Sequence, residues 1–261
     1  MHLKGKTALV TGSTSGIGLG IAQVLAAQGA NILVNGFGDA DAPRRAIEQA
    51  GQAHGIRTAY HGADLSKVGE IEDLMAYAQK EFGRVDVLVN NAGIQHTARI
   101  EDFPPERWDA IIAINLSSVF HTTRLALPAM LQANWGRIIN IASVHGLVAS
   151  VEKSAYVAAK HGVVGLTKVT ALETATTGVT ANAICPGWVL TPLVQKQIDD
   201  LAKNNGISTD QAQAQLLGAK EPSLRFTTPE ELGELAAFFC SPAGDNVRGV
   251  AWNMDGGWVA Q

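Results

Sequence analysis

Tyr156 and Lys160 stand four residues apart, so on a helix they share one face, where a lysine ammonium can stabilise a phenolate. An unperturbed tyrosine titrates near ~10, and a neighbouring positive charge lowers that value toward the range in which a phenol exchanges protons with an alcohol. Ser143, upstream on the same stretch, could hydrogen-bond the same oxygen. A lone Tyr-x-x-x-Lys recurs by chance, and an ordinary exposed pair has the same spelling. The elements that would have to hold these side chains decide between the two.

Those elements alternate. A short apolar run, 7–10, precedes Thr11-Gly12-Ser13-Thr14-Ser15-Gly16-Ile17-Gly18 and an apolar-periodic segment, 21–27. Strand, glycine turn and helix in that order place a phosphate at a helix N-terminus, with Gly12, Thr14, Ser15, Gly16, Ile17 and Gly18 as the cradle of a dinucleotide. Further strands are predicted over 31–35, 58–65, 85–89, 137–142, 179–184 and 248–254, with helices through 52, over 71–82, over 108–130 and from Tyr156 through 171. This is the pattern of an α/β protein, a doubly wound parallel sheet of Rossmann type, whose ligands sit beyond the carboxyl ends of the strands. Ser143 directly follows the fifth strand and Asn91 and Gly93 the fourth, which puts the opening residues where such a sheet carries chemistry. Asn115, inside an apolar helix, needs partners: it either braces the neighbouring strand or holds a water near Lys160.

Residues after the second strand select the adenosine ribose. Gly36, Phe37, Gly38 and Asp39 offer no base for a 2′-phosphate, so NAD is favoured over NADP, although Asn35 replaces the usual acidic residue at the strand end. Arg44 and Arg45 would overturn this if they reached the ribose; otherwise they are a solvated helix start. Asp64, with Leu65 beside it, could accept from the adenine amino group.

The composition is that of an ordinary globular chain: 261 residues, 46% hydrophobic, 17% charged and a formal net charge of −4. No basic block points to nucleic acid or an anionic membrane, so a small molecule is the expected partner. Cys185 and Cys240 are far apart, which indicates two reduced thiols rather than a disulfide framework, and no metal-ligand spacing occurs. The N-terminal apolar run is too short for a signal peptide and no uninterrupted run is long enough to cross a bilayer, so the expected location is the cytoplasm.

Taken together, the segment from Thr11 to Gly18, Asn90-Asn91-Ala92-Gly93, Asn115, Ser143, Tyr156-x-x-x-Lys160 and Pro186-Gly187 make the chain resemble the short-chain dehydrogenases/reductases over nearly its whole length. The resemblance implies NAD(P)-dependent hydride transfer at a carbonyl or alcohol, with Tyr156 as general acid/base. It further implies that Lys160 lowers the pKa of Tyr156 and binds the nicotinamide ribose, that Ser143 orients the substrate oxygen and that Asn115 anchors a proton-relay water. Val189 and Thr191 would lie near the carboxamide, and a homotetramer would be built on the Asn115 and Tyr156 helices.

Within that family, Asn35-Gly36-Phe37-Gly38, the run from Asn91 to Thr97, the run from His145 to Ser150, Cys185-Pro186-Gly187-Trp188, Thr191-Pro192-Leu193-Val194 and Asp255-Gly256-Gly257-Trp258 are similar to the bacterial D-3-hydroxybutyrate dehydrogenases. The carboxylate-binding residues implied by that likeness fall on Gln95, His145, Lys153 and Gln197. Glu152 beside Lys153, Thr176-Thr177-Gly178 and the stretch 245–253 depart from the pattern. Independently of the likeness, a cation and amide donors around a hydride-transfer site suit a small carboxylate. Leu193, Gln197 and Leu201 share a helical face in a segment outside the alternation, read as a lid over 189–221 on a single domain spanning 1–261. Gln197 is either a boundary residue or a substrate contact, and Trp188 and Trp258 are either core or the walls of a short pocket. The expected reaction is reversible oxidation of D-3-hydroxybutyrate to acetoacetate. The alternatives are an NADPH-dependent 3-oxoacyl-carrier-protein reductase and a non-catalytic dinucleotide-sensing module.

Overall fold

A computed structural model describes residues 2–260. Its strands are β1 (Thr7–Val10), β2 (Asn31–Asn35), β3 (Thr58–His61), β4 (Val87–Asn90), β5 (Gly136–Ile141), β6 (Val179–Pro186) and β7 (Ala251–Met254). They form one seven-stranded sheet in the order β3-β2-β1-β4-β5-β6-β7, every pairing parallel. Strands β1, β4, β5 and β6 are buried along their whole length and mostly apolar, with buried polar exceptions such as Arg137, Asn140, Thr180 and Asn182, while the edge strands β3 and β7 are half-exposed.

Helices cover both faces. On one side α1 (Gly16–Ala27), α2 (Asp41–Ala50) and α9 (Pro229–Cys240) share a core with β1 and β2. On the other lie α3 (Val68–Phe82), α5 (Ser118–Gln132) and α6 (Ser154–Glu173). The strand order reverses between β1 and β4, and the crevice at that switch point is where a dinucleotide is held in such sheets.

Helix α9 lies outside the strands and helices expected from the alternation. Its start is a capping box: Thr228 accepts from the Glu231 N–H while Glu231 accepts from that of Thr228. It buries Leu232, Leu235 and Phe239, each worth about 1.5–3 kcal/mol. It fits tightly on α1 because Gly233 faces Val24 at a distance where a Cβ would clash.

Several expected boundaries shift for local reasons. Strand β3 stops at His61 instead of Leu65, because the Asn35 side-chain amide takes the carbonyls of His61 (3.0 Å) and Ala63 (3.1 Å) and draws the chain out of register. Strand β7 begins at Ala251 rather than 248, since Gly249 has φ +71 and Arg248 is spent on the carbonyls of Thr174, Thr177 and Val179. The helix expected over 108–130 begins at α4 (Pro105–Ile112) and passes through a π-helical turn, Ala113–Ser117, into α5. The segment expected as one lid helix is a pair, α7 (Pro192–Asn205) and α8 (Thr209–Gly218), broken at Gly206 with φ +63 and restarted by a Ser208/Gln211 capping box. The pair packs on its own small core of Ile198, Ala212, Leu217 and Phe226.

Helical residues Pro105–Gln132 are together long and apolar enough, by length and composition, to cross a bilayer, with a mean hydropathy of 1.3 over the best window. The sequence reading found no such run because polar residues interrupt it. In the fold this segment lies on the sheet, with Val119, Thr122, Ala126 and Met130 buried.

Candidate active site

The carboxyl ends of the strands open into a cleft of about 1120 Å³. At the β1 end, the first turn of α1 presents its backbone N–H groups: the N-cap Ser15 is extended and its side chain makes no cap, leaving those donors for an anion. Gly12 and Gly16 have φ of +64 and +54, and a Cβ on Gly18 would collide with the Gly12 carbonyl and the Asn91 amide. The turn is therefore a cradle in which backbone, not side chain, meets the ligand. Asn91 and Asn35 brace it. The Asn91 Nδ2 donates to Thr11 O (2.8 Å) and Gly12 O (3.2 Å), and Asn35 Oδ1 accepts from the Gly12 N–H (3.4 Å). Asn35 is buried at the wall of the cleft, and its amide is spent tying the ends of the first three strands together.

Phe37 is exposed at the end of the cleft beyond β2, and Thr14 Oγ1 donates to its carbonyl at 3.1 Å. Arg44 is turned to Glu48 (3.7 Å) and Thr58 (3.4 Å), and neither it nor Arg45 lines the cleft. Asp64 and Leu65 line it. One Asp64 oxygen is already taken by the backbone (3.0 Å) and hydroxyl (2.7 Å) of Ser66, which, with Lys67, hold its carboxyl below the usual range.

The catalytic candidates converge beyond β5. Ser143, extended and buried, accepts the His145 N–H at 3.2 Å and hydrogen-bonds the Tyr156 side chain. Tyr156 and Lys160 sit one turn apart on α6, the Lys160 Nζ lying 5.6 Å from the Tyr156 ring centre. Here the structure departs from the expected electrostatics. The Lys160 ammonium is directed at the Ile141 carbonyl (2.7 Å), and burial holds the Tyr156 phenol above its ordinary value, opposed by the bond to Ser143. Burial also brings Lys160 down to about 8. Loss of hydration disfavours the charged form of both groups.

Asn115 forms two bonds to one residue: Oδ1 accepts from the Ile94 N–H (2.9 Å) and Nδ2 donates to the Ile94 carbonyl (2.9 Å). Of its two expected roles, the structure places its side chain in the brace of the loop after β4. The π-helical turn that contains it is a feature enriched at functional sites.

Gln95, His145, Lys153, Trp188, Gln197 and Trp258 line the same cleft as Ser143 and Tyr156. His145 is 4% exposed, with its ring edge-on to Tyr156 (5.9 Å) and Trp258 (5.5 Å) and its Nε2 3.0 Å from Ser150 Oγ. Burial, reinforced by the charges of Lys153 and Lys220, lowers it to about 4, so it is neutral at physiological pH. Lys153 is pulled down by the same two causes, burial and Lys220. Glu152 is exposed with φ +64 and makes no ion pair with Lys153 among the described residues. From α7 come Pro192, Leu193, Val194 and Gln197, with Leu201 of the same stripe turned into the small core beneath. Gly93, Pro186, Gly187, Val189 and Thr191 complete the cleft around the proposed nicotinamide end.

Among the residues not expected at the site, two matter for its geometry. Ile94 lines the cleft through a backbone fixed by Asn115, and Glu221 is buried behind it against Trp188. Ile94 stands within the Asn91–Thr97 run without an assigned role, and Glu221 carries no motif; an acid next to a proline was its one signal. Among the described residues no three His, Cys, Asp or Glu side chains group as a metal site. Cys185 and Cys240 are free thiols pushed up by burial, to about 11 and about 12.

A doubly wound sheet with a glycine cradle at its first strand and a Ser/Tyr/Lys group across the cleft has the layout of a dinucleotide-dependent oxidoreductase. Residues 6–202 match the family described as short chain dehydrogenase, and the chain belongs to that family of nicotinamide-dinucleotide oxidoreductases. It is 73% identical over 259 residues to the D-beta-hydroxybutyrate dehydrogenase of Cupriavidus necator, covering 99% of this chain and 100% of that one. It is 53% identical over 256 residues to the protein of the same name from Rhizobium meliloti, covering 98% and 99%. The crystal structure of L-sorbose reductase from Gluconobacter frateurii, complexed with NADPH and L-sorbose, superposes with a TM-score of 0.93 at 29% identity, covering 100% of this chain and 99% of that one.

Proposed function

We propose that the chain catalyses the reversible, NAD-dependent oxidation of D-3-hydroxybutyrate to acetoacetate. The observation that carries this reading is the gathering of Gln95, His145, Lys153 and Gln197 in one cleft with Ser143 and Tyr156. Those four offer one cation, two amides and a neutral imidazole to a carboxylate. The likeness to the two hydroxybutyrate dehydrogenases supports the same substrate.

Ser143 and Tyr156 hold the substrate hydroxyl, and Tyr156 takes its proton as the carbon–hydrogen bond breaks. A bound dinucleotide supplies the hydride acceptor. Lys160, with a pKa near 8, carries charge over much of the neutral range and serves the ribose hydroxyls and the phenolate form of Tyr156, which becomes the phenol as it accepts the proton. The α1 N-terminus takes the pyrophosphate. Trp188 and Trp258 limit the carbon chain, and α7 and α8 close over it as a lid that excludes water. NAD is favoured over NADP because Arg44 is committed to Glu48 and no basic side chain lines the ribose end.

The exposed apolar residues Trp108, Phe120 and Leu131 of α4 and α5, and Val169 and Leu172 of α6, support a homotetramer packed through these helices. Sedimentation is expected to give about four times the 27.4 kDa chain. The catalytic reading is tested by absorbance at the NADH band with D- and L-3-hydroxybutyrate and with NAD and NADP. Reduction with the D-acid and NAD alone is expected. Activity confined to NADPH and a 3-oxoacyl thioester would discard the carboxylate pocket.

A further inference from the structure

Glu221 follows α8 and is completely buried, yet it has no part in the chemistry just described. Its Oε1 accepts the backbone N–H of Trp188. A Cβ on Gly187 would collide with that oxygen, and one on Gly256 would lie 3.0 Å from Oε2. One carboxyl group is thus wedged between the backbone just before Trp188 and the backbone two residues before Trp258. Its Oε2 has no hydrogen-bond partner among the described residues. Nearby, Ser223 N–H donates to the Gly256 carbonyl at 3.0 Å, adding a second tie between the lid's end and the Trp258 loop.

We propose that Glu221 is a positioning residue: by clamping the backbone of both tryptophan-bearing loops from one buried carboxyl group, it sets the width of the substrate pocket. This rests on the reading that Trp188 and Trp258 wall the substrate. Glycine at 187 and 256 is what lets the carboxyl group approach so closely.

Its protonation state matters because of what surrounds it. Asp255, buried on the Trp258 loop, is spent on the N–H groups of Gly257 (3.1 Å) and Val259 (3.0 Å), which hold the turn carrying Trp258. Burial, aided by the Asp255 charge, raises Glu221 to about 7, against the hydrogen bond from Trp188. Lys220 is exposed over the Trp258 ring, His145 meets that ring edge-on, and Lys153 lines the cleft close enough to feel the Lys220 charge. Cys185, at the end of β6, is a neutral thiol. As the acid, Glu221 gives Trp188 an acceptor without setting a second negative charge beside Asp255. Ionised, it holds the Trp188 N–H more tightly but sets its charge beside Asp255 in a site with little water, and the repulsion loosens the Trp258 side of the clamp.

The test compares the parent protein with Glu221→Gln and Glu221→Ala between about pH 6 and pH 8.5. In the parent the substrate KM is expected to rise about tenfold across this range with KM for NAD unchanged; Glu221→Gln keeps a low, flat substrate KM, and Glu221→Ala raises it about tenfold already at the acid end. In protein labelled with 5-fluorotryptophan and free of substrate, two of the five tryptophan resonances are expected to titrate near neutrality in the parent and not in Glu221→Gln. Parental titration in Glu221→Gln, or a parental substrate KM in Glu221→Ala, would overturn the proposal. If Glu221→Ala fails to fold, Glu221→Gln decides alone. If the protein turned over no 3-hydroxybutyrate, the functional reading would fail while the fluorine titration still judged the clamp.

Discussion

Asp86 and Arg137, at the amino end of the sheet, are buried with counter-charges beside them, whereas Lys160, Lys153, His145 and Glu221 at the carboxyl end have no ion-pair partner among the described residues. Asp86 lies 2.7 Å from Arg84 and 3.6 Å from Lys6 and accepts the Thr7 N–H at 2.9 Å. Arg137 is ion-paired with Asp245, donates to the carbonyls of Gly136 (2.8 Å) and Gly178 (3.0 Å), and lies 4.5 Å from the Trp135 ring centre. Burial lowers Arg137 as well, but there the Asp245 charge opposes the shift; at the other end no ion pair among the described residues does so, and Lys160 falls to about 8, His145 to about 4, and Glu221 rises to about 7. Both ends belong to the same strands. The difference teaches that charge matched within the chain holds the sheet, while charge left unmatched is held ready for a proton or a ligand.

The largest effect is expected from removing the proposed proton carrier. Tyr156→Phe keeps the ring on α6 but deletes the hydroxyl, and turnover is expected to fall at least about 10³-fold while dinucleotide affinity, read by titration calorimetry, stays near parental. Parental turnover would remove Tyr156 from the reaction. Next comes the cradle. Gly18→Val places a side chain against the Gly12 carbonyl and Asn91, and dinucleotide affinity is expected to drop about 100-fold or more. A smaller effect sharpens the contrast through pH. His145 titrates at about 4 in the fold against 6.5 as a free side chain, so between those values the unfolded chain binds a proton that the fold refuses. Stability is therefore lost as pH falls from about 6.5 toward about 4, by on the order of 2 kcal/mol. Glu221 works in the opposite sense. Its raised pKa means that stability is lost as pH rises from about 4.5 to about 7. Denaturant melts of His145→Gln against parent isolate the histidine contribution, and an unchanged acid limb would mean that His145 is not buried as a neutral group.

Much of the carboxyl end was legible because its chemistry is written locally. Tyr156 and Lys160 are one helical turn apart, Ser143 directly follows a strand, and the glycine turn lies between a strand and a helix. The alternation of elements fixes where these meet, so the cleft follows from the order of the chain. What was illegible depends on contacts distant in sequence. Asn35 reads as a ribose-facing residue at a strand end, but its amide is consumed by His61 and Ala63. Asn115 was expected either to brace or to hold a water, and its two bonds to Ile94 could not be read from its own neighbours. The lowering of Tyr156 by Lys160 counted only the neighbouring positive charge; in the fold both groups lose water and the ammonium points to Ile141. Helix α9 was legible in principle, since Thr228-Pro229-Glu230-Glu231 spells a capped start, but it lies beyond the strand alternation that organised the rest.

The central claim is that matched buried charge serves the fold and unmatched buried charge serves the ligand, and one crossed measurement tests it most directly. Arg137→Ala and Lys153→Ala are each measured for unfolding free energy and for kcat/KM with D-3-hydroxybutyrate. The account predicts that Arg137→Ala loses about 3 kcal/mol of stability with kcat/KM close to parental. It predicts that Lys153→Ala keeps its stability and loses kcat/KM about 30- to 100-fold through KM. Equal losses in both quantities for both variants would contradict it.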